Sequence, residues 1–185
     1  MSLTKEQLRI KFFKIRKKKY FEISSNFFLP LLSIIKKKIR KNSFTLSIYY
    51  PSNYEVDALK IFDKIKNKKI QILLPAIFKN NVMKFYKWKD KDPLRVNQYG
   101  MLEPHITKND FIPDIMLVPL LVYDKENFRL GYGKGYYDRY LNMYLKKNKN
   151  IITIGVAFEF QKYKKIPTST YDVKLDKILT EKGIL

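Results

Sequence analysis

Short apolar runs constrain the fold of this 185-residue chain more than any other feature of its sequence. Residues 115–118 form a wholly apolar run between Asp114 and Pro119, and residues 151–158 form a second, nearly continuous one. A strand that is buried on both faces has such a run, whereas a strand with one solvated face alternates apolar and polar residues. Both runs therefore predict buried strands of a parallel sheet.

Strand and helix patterns alternate along much of the remaining chain. Residues 44–50 and 70–74 have the composition of strands, the second of which ends at Pro75. Between them, residues 56–66 have apolar side chains at helical spacing, and residues 136–144 have the same spacing. A strand, a helix and a strand within about 30 residues are typical of a βαβ unit, whose two strands pair in parallel.

Two further helices are expected near the amino terminus. Thr4 can cap a helix over residues 4–19, because Gln7 follows three residues later and can complete a capping box. Residues 24–41 predict a second helix, in which Pro30 marks either a kink or a late start.

Together these elements predict an α/β fold of the Rossmann-like type. Its sheet would be open and mostly parallel, with helices on both faces in three layers, because buried strands need cover on each side. No internal repeat or low-complexity linker divides the chain, so we expect a single domain over residues 1–185.

The composition excludes several classes of chemistry. The chain has no cysteine and one histidine, so disulfides, thiolate zinc sites, cysteine nucleophiles and His-rich metal centres are excluded within one chain. A Ser-His-Asp triad would need His105 itself, which we expect to be a structural or surface residue. The longest apolar run, residues 27–35, is too short to span a bilayer, and the amino terminus has no signal-peptide pattern. We therefore expect a cytoplasmic protein without a membrane partner.

The net charge of +21 arises from 38 Lys plus Arg against 17 Asp plus Glu. A charge of this size would suggest a nucleic-acid or anionic-membrane partner. The excess is almost entirely Lys and is spread along the chain, which indicates a compositional bias instead of a site. A basic RNA- or DNA-binding module remains the alternative, supported by aromatic residues between lysines at 84–88 and 161–165.

Glycine is scarce, yet three of the six glycines fall at positions 131, 133 and 135. Alternating glycines allow positive φ and close approach of the backbone to a ligand, and the start of a helix directly afterwards favours an anion. Lys134 and Arg129 add positive charge, and Asp138 adds the oxygen that Mg²⁺ prefers. The order is neither Walker A nor GxGxxG, so the segment predicts a phosphate site of another type, or else an incidental glycine-rich turn.

The glycine cluster also lies within a longer pattern of known type. DIMLVPLLVYD at 114–124, followed by RLGYGKGYYDRYL at 129–141, resembles the signature of the 5-formyltetrahydrofolate cyclo-ligase (methenyltetrahydrofolate synthetase) family. Segments 49–65, 72–88, 99–104 and 157–181 resemble other parts of that family in the same order. The resemblance therefore covers nearly the whole chain.

The resemblance implies a set of site residues. Lys5 and Arg9 would contact ATP; they are i, i+4 neighbours, and Arg16 shares roughly their face of the helix. Asp138 and Asp176 would hold Mg²⁺, and the ATP phosphates would be wrapped by Arg129, Leu130, Gly131, Tyr132, Gly133, Lys134, Gly135, Tyr136 and Tyr137. The folate would contact Tyr50, Glu55, Tyr132, Gly133, Lys134, Gly135 and Tyr136.

The resemblance further implies the ATP- and Mg²⁺-dependent conversion of 5-formyltetrahydrofolate, with or without a polyglutamate tail, to 5,10-methenyltetrahydrofolate by a cytoplasmic monomer. ADP and phosphate would be released through a phosphorylated formyl intermediate. Lys134 would act on the transferring phosphoryl group and Arg129 on other phosphate oxygens, with no protein nucleophile. A different ATP- or phosphosugar-using enzyme on the same scaffold is a third alternative.

Three positions depart from the family pattern. Tyr171 precedes Asp172 where the family usually has His, Phe160 replaces a Tyr or smaller residue, and Leu120 replaces a Gly. We expect these changes to alter the pocket near residues 119–123 and 171. Packing or surface roles also remain open for single site candidates, namely Tyr50, Glu55, Trp88, Tyr99 and Asp176.

Overall fold

The computed structural model describes residues 3–39, 44–65, 69–145 and 150–185, and seven of its strands form the main sheet. Including those of two smaller sheets, the strands are β1 (Phe44–Ser47), β2 (Ile70–Ile77), β3 (Met83–Lys87), β4 (Leu94–Val96), β5 (Leu102–Pro104), β6 (Ile115–Pro119), β7 (Val122–Asp124), β8 (Arg129–Leu130), β9 (Ile152–Val156), β10 (Lys162–Tyr163), β11 (Lys177–Thr180) and β12 (Gly183–Ile184). The helices are α1 (Lys5–Lys19), α2 (Leu29–Lys38) and α3 (Tyr136–Leu145), with 3₁₀ helices at Ser25–Phe28, Ala58–Asp63, Lys79–Asn81 and Glu159–Gln161.

The main sheet has the order β12, β11, β9, β6, β1, β2, β3. Its inner pairs are parallel, and only the edge strands β12 and β3 run antiparallel to their neighbours. β6 lies at the centre and is buried on both faces, because Ile115 and Leu117 pack into one hydrophobic cluster while Met116 and Val118 pack into another. The first cluster includes α2 and the second α3. The predicted α/β fold with helices on both faces is therefore confirmed, whereas its extent as a single domain stays a prediction.

The connection between β1 and β2 confirms one part of the predicted βαβ unit and corrects another. The two strands pair in parallel, with Phe44 opposite Ile70. The segment predicted as a helix over 56–66 is instead a short 3₁₀ helix, Ala58–Asp63, and residue 66 lies outside the described residues. Ala58 and Ile61 are its buried residues, and their spacing of three matches one 3₁₀ turn.

The other helices follow the sequence closely. The Thr4 side chain accepts a hydrogen bond from the Gln7 amide, and Gln7 completes the predicted capping box. Pro30 lies in the first turn of α2, after a 3₁₀ turn, so the late start is the correct alternative. The predicted end of this helix at 40–41 lies outside the described residues.

Several strand boundaries differ from the prediction. β1 ends at Ser47 although the Ile48 amide still donates to the Leu73 carbonyl at 3.0 Å, and residues 48–50 are not part of the strand. β2 continues through Pro75 to Ile77, because the strand there pairs with β3 and lies beyond the residues paired with β1, where proline is tolerated. In the described ranges, no helix is long and apolar enough to cross a membrane.

A smaller sheet positions α1. β10, β7 and β8 form this sheet, and Leu8 and Phe12 of α1 pack in one cluster with Val122 and Leu130. β8 leads directly into residues 131–135, which we call the glycine turn, and then into α3. The packing of α1 on this sheet therefore brings its polar residues next to the glycine turn.

Candidate active site

A cavity of about 1030 Å³ opens beyond the carboxyl ends of β1 and β6. This is the edge at which open α/β sheets bind ligands, and the volume lies at the upper end of the usual range for ligand pockets. Of the predicted site residues, all but Asp176 line the cavity. The tip of the β4–β5 hairpin and residues 170–172 complete its wall.

The glycine turn forms one wall through an unusual backbone. Gly133 has φ 98° and Gly135 has φ 69°, and both values lie in the left-handed region that favours glycine. A Cβ atom at Gly133 would lie 3.1 Å from Arg9 Cζ, and one at Gly135 would lie 3.0 Å from Arg139 Nη1. The turn therefore packs closely against two guanidinium groups, and α3 begins directly after it.

Two cations of α1 meet this turn. Lys5 Nζ lies 2.5 Å from Asp172 Oδ2, and Arg9 Nε donates a hydrogen bond to the Gly131 carbonyl at 3.0 Å. Burial alone would raise the pKa of Asp172, but hydrogen bonds from Lys5 and Ser169 bring it below its usual value. The structure thus gathers the basic pair of α1 and the glycine turn around one cavity.

Arg129 is held by the protein itself. Its side chain is 4 % exposed, Nη1 donates to the Val173 carbonyl at 2.8 Å, and Nη2 donates to Asp138 Oδ1 at 2.8 Å. Burial lowers the pKa of Arg129, while Asp138 acts in the opposite direction. Both terminal nitrogens of Arg129 thus have a protein acceptor, and its contact with phosphate oxygens through the remaining N–H groups stays a prediction.

Lys134 is the exposed cation of the glycine turn. Its Nζ lies 5.4 Å from the centre of the Tyr99 ring, at the tip of the β4–β5 hairpin. The Tyr136 hydroxyl also approaches that of Tyr99, at 3.5 Å. Burial and the contact with Tyr99 raise the pKa of Tyr136 to about 12. The hairpin tip therefore contacts the turn, and Lys134 can reach a ligand between them.

The opposite wall carries a buried carboxylate. The loop after β1 turns back through left-handed Asn53 and Tyr54, and Glu55 Oε2 accepts the Ser52 amide at 3.0 Å. Glu55 is 7 % exposed. Burial raises the pKa of Glu55 to about 7, while Arg16, Ser52 and Tyr132 act to lower it. Tyr50 lines the cavity beside it.

Arg16 is a site residue that sequence reasoning missed. The sequence predicts that it shares a face of α1 with Lys5 and Arg9, but Arg16 is only 1 % exposed. Its Nη1 donates to the Leu120 carbonyl at 3.1 Å, and its Nη2 donates to the Tyr132 hydroxyl. The signal was present in the sequence, because Leu8, Phe12 and Arg16 follow at i, i+4 and i+8 and form the buried stripe of the helix.

The predicted pair of magnesium ligands is separated. Asp138 lines the cavity, whereas Asp176 Oδ2 accepts the Thr153 amide at 2.7 Å and the Thr153 hydroxyl at 2.8 Å. Asp176 directly precedes β11 and lies beside Thr153 at the start of the parallel strand β9. It is therefore at the amino ends of the strands, whereas the cavity lies at their carboxyl ends. No group of three or more His, Cys, Asp or Glu side chains in the described residues is arranged for a metal. Of the predicted pair, Asp138 lines the cavity and Asp176 does not.

The three family departures affect the cavity little. The Leu120 side chain packs against Gly155, where an added Cβ would lie 2.7 Å from Leu120 Cδ2. Leu120 is not part of the cavity wall. Phe160 stacks on Phe158 with an interplanar angle of 9°. Only Tyr171, which is 78 % exposed, reaches the rim, so the expected change near residues 119–123 is wrong.

The remaining sequence candidates have structural roles. His105 is exposed and lies outside the cavity wall, which confirms it as a surface residue. Trp88 is buried in the core against Phe62. Phe85 and Tyr86 are buried as well, so none of the aromatic side chains at 84–88 can present a face to a nucleic-acid base.

Proteins with similar sequences match most of this chain. The chain is 29 % identical over 154 residues to a 5-formyltetrahydrofolate cyclo-ligase of Haemophilus influenzae, covering 80 % of each chain. It is 36 % identical over 135 residues to the Mycoplasma genitalium protein of the same name, covering 72 % of this chain and 70 % of the relative.

Solved structures have the same fold. The 5,10-methenyltetrahydrofolate synthetase of Aquifex aeolicus matches with a TM-score of 0.73 and 30 % identity, over 98 % of this chain and 92 % of that one. The Mycoplasma pneumoniae synthetase matches with a TM-score of 0.65 and 25 % identity, over 96 % and 98 %. The model of the 5-formyltetrahydrofolate cyclo-ligase family matches residues 4–181. The chain therefore belongs to the 5-formyltetrahydrofolate cyclo-ligase family.

Proposed function

We propose that this protein converts 5-formyltetrahydrofolate and ATP to 5,10-methenyltetrahydrofolate, ADP and phosphate. One observation carries the proposal: a single cavity has a cation-lined glycine turn on one wall and the buried carboxylate of Glu55 on the other. The first wall suits a polyphosphate, and the second suits a flat heterocycle that donates hydrogen bonds. An enzyme that joins these two substrates needs both walls within reach of one another.

The wall of the glycine turn is the proposed nucleotide site. Lys5, Arg9 and Lys134 supply three cations around a backbone that bends through Gly133 and Gly135. Because α3 starts directly after the turn, its unpaired amide groups and dipole add positive potential at the same place. The triphosphate would lie along this wall, with Lys134 at its terminal phosphoryl group.

The chemistry needs positioning and charge stabilisation. The formyl oxygen attacks the γ-phosphorus, the bond from that phosphorus to the β–γ bridging oxygen breaks, and ADP leaves. The formyl carbon, now double-bonded to N5 and carrying a phosphate ester, is attacked by N10. N10 loses its proton, phosphate leaves with the C–O electron pair, and the methenyl bridge remains. No protein nucleophile takes part, which agrees with a chain without cysteine.

Lys134 would stabilise charge on the transferring phosphoryl group, because it is the exposed cation of the turn and its ammonium has no salt bridge among the described residues, lying instead over the Tyr99 ring. Arg129, which also lines the cavity, would hold Asp138 in place through the bond at 2.8 Å. We propose that Asp138, together with phosphate oxygens, holds Mg²⁺. The ion would neutralise part of the phosphate charge.

The test is an ATP-dependent rise in the near-ultraviolet absorbance of the methenyl product after 5-formyltetrahydrofolate is added to the folded protein with Mg²⁺. Reactions without ATP, or with ADP in its place, are the controls. We expect product only with ATP, in equal amount to the ADP released. Absence of product from a cooperatively folded protein would overturn the proposal and favour a different ATP- or phosphosugar-using enzyme.

The same preparation tests the nucleic-acid alternative. Binding of labelled RNA and DNA is measured at several salt concentrations, because phosphate contacts make affinity fall steeply with salt. We expect weak binding without sequence preference, as the charge of +21 alone would give.

A further inference from the structure

A buried guanidinium lies behind the cavity without an acidic partner in contact. Arg16 is 1 % exposed, and no salt bridge of the described residues includes it. Nη1 and Nη2 have acceptors, but Nε has none in the described part of the chain. A buried charge is costly unless it is compensated, so the fold keeps this cation for a reason beyond packing.

A hydrogen-bonded path connects Arg16 to the cavity. Arg16 Nη2 donates to the Tyr132 hydroxyl, and the guanidinium also faces the Tyr132 ring, 5.5 Å from its centre. Tyr132 and Glu55 line the same cavity, and Tyr132 acts to lower the pKa of the Glu55 carboxyl. Because the Tyr132 hydroxyl accepts from Arg16, its single proton remains available for a hydrogen bond to that carboxylate. Three elements, α1, the glycine turn and the loop after β1, thus meet at one path.

Glu55 differs from the other acids that line the cavity. Asp138, Asp172 and Glu103 each form a salt bridge with an arginine or lysine, whereas none of the salt bridges among the described residues involves Glu55. Arg16 is therefore the cation that acts on Glu55, through Tyr132 and through space.

Groups from several elements of the described chain act on Glu55. Ser52 donates from its own loop, Tyr49 and Tyr137 lie near it as neutral phenols, and Tyr132 and Arg16 act on it from the glycine turn and from α1. Burial raises the pKa of Tyr49 and of Tyr137, so neither compensates the carboxylate with charge.

We propose that Arg16 is a positioning residue for the carboxylate wall: it fixes the Tyr132 hydroxyl and keeps Glu55 an ionised acceptor for the paired N–H donors of a pterin-type ring. This rests on the proposed function, because the ring is that of the proposed folate substrate. Arg16 contacts neither substrate. It acts through Tyr132, which belongs to the glycine turn, so the wall that binds nucleotide also sets the charge of the wall that binds the ring.

Arg16→Met tests the proposal, since methionine fills part of the same volume without charge. Gln161→Met is the matched control: Gln161 is also 1 % exposed and donates to the same Leu120 carbonyl at 2.9 Å, but it has no bond to Tyr132. For Arg16→Met we expect KM for 5-formyltetrahydrofolate to rise on the order of tenfold, with a smaller change in kcat. Gln161→Met should leave that KM within about twofold at matched folding.

The pH dependence separates positioning from packing. Arg16 lowers the pKa of Glu55, so its removal should move the acid limb of kcat/KM to higher pH by about one unit. Arg16→Lys keeps the charge and should restore part of this shift. Tyr132→Phe removes the connecting hydroxyl and should move the limb in the same direction, which keeps the test independent of whether the Arg16 variants fold. An unmoved limb in all of them would overturn the proposal.

A titration without turnover distinguishes this proposal from the proposed function. The protein is labelled with ¹³C-glutamate, and the carboxyl signal of Glu55 is assigned by its loss in Glu55→Gln. We expect Tyr132→Phe and Arg16→Met to raise the pKa of that signal. If the wild type makes no methenyl product but the signal moves, the substrate is wrong and the role of Arg16 stands. If product forms and the signal does not move, the role of Arg16 is wrong.

Discussion

The two walls of the cavity carry charge in opposite ways. On the glycine-turn wall, Lys5 pairs with Asp172 and Arg129 pairs with Asp138, so cations are held in place by acids of the protein. On the carboxylate wall, Glu55 is buried and has no salt bridge among the described residues.

The difference follows from what each wall would bind. A polyphosphate brings several negative charges, so cations fixed in advance by neighbouring acids lose little freedom when it arrives. A neutral ring with N–H donors needs an acceptor, and a carboxylate already engaged by a cation would be a weaker one. The charge of Glu55 is therefore supported from a distance, by Arg16, instead of being neutralised in contact.

The largest expected effect concerns Lys134, the exposed cation of the glycine turn. Lys134→Ala should lower kcat by about 10²–10³, because it removes a charge donor aimed at the transferring phosphoryl group. Steady-state rates of methenyl formation at saturating ATP measure this. Lys134→Arg keeps the charge and should recover part of the rate. Lys164→Ala, at an exposed lysine outside the cavity, controls for the loss of overall positive charge. A wild-type kcat in Lys134→Ala would remove Lys134 from the mechanism.

Glu55→Gln tests the other wall through stability. Burial raises the pKa of Glu55 from 4.5 to about 7, so the folded protein binds an extra proton between these values and the free energy of unfolding falls as pH rises through them. The free energy of unfolding of Glu55→Gln, relative to that of the wild type, should therefore be about 3 kcal/mol higher at about pH 8 than at about pH 4. Chemical denaturation at the two pH values measures this, with exposed Glu126→Gln as the control. A pH-independent difference would mean that Glu55 is not buried as a charge.

The two walls also differ in how far the sequence reveals them. The glycine turn is a local feature: glycine spacing, the following helix and neighbouring cations all occur within a few residues, so the local sequence predicts a phosphate site. Buried strands and helix caps are local in the same sense, and β6 and α1 were predicted closely.

The missed features depend on tertiary structure. Arg16 is buried because α1 packs on the sheet that contains β7, and its link to Glu55 joins three segments that are distant in sequence. Asp176 was implied only by the family resemblance, and the tertiary structure decides which end of its strand faces the cavity. Residues 56–66 are a similar case. The sequence predicted a connection between two parallel strands there, but not that the connection contains only a short 3₁₀ helix after the loop at Glu55.

Asp138 and Asp176 give a paired test of the metal on the glycine-turn wall. Asp138→Asn should raise the Mg²⁺ concentration for half-maximal rate on the order of tenfold, since it removes the carboxylate proposed to hold the ion. Asp176→Asn should leave that concentration unchanged, because Asp176 lies at the opposite edge of the sheet with its Oδ2 on Thr153. Rates measured across a Mg²⁺ series decide between them. Equal shifts in both variants would contradict the separation of the two carboxylates.

The smallest expected effect tests whether the backbone of the glycine-turn wall is strained for any residue but glycine. Gly133→Ala should lower the free energy of unfolding by about 1–2 kcal/mol, because alanine at φ 98° is disfavoured and its Cβ would lie 3.1 Å from Arg9 Cζ. Gly131→Ala, two residues away, meets no atom within 4 Å and has no positive φ, so it should be neutral or stabilising by up to about 1 kcal/mol. Urea denaturation of both variants gives the two signs directly. Equal destabilisation by both substitutions would mean that the turn is sensitive to any added side chain. The positive φ of Gly133 and its close contact with Arg9 would then not explain why the glycines are concentrated in this turn.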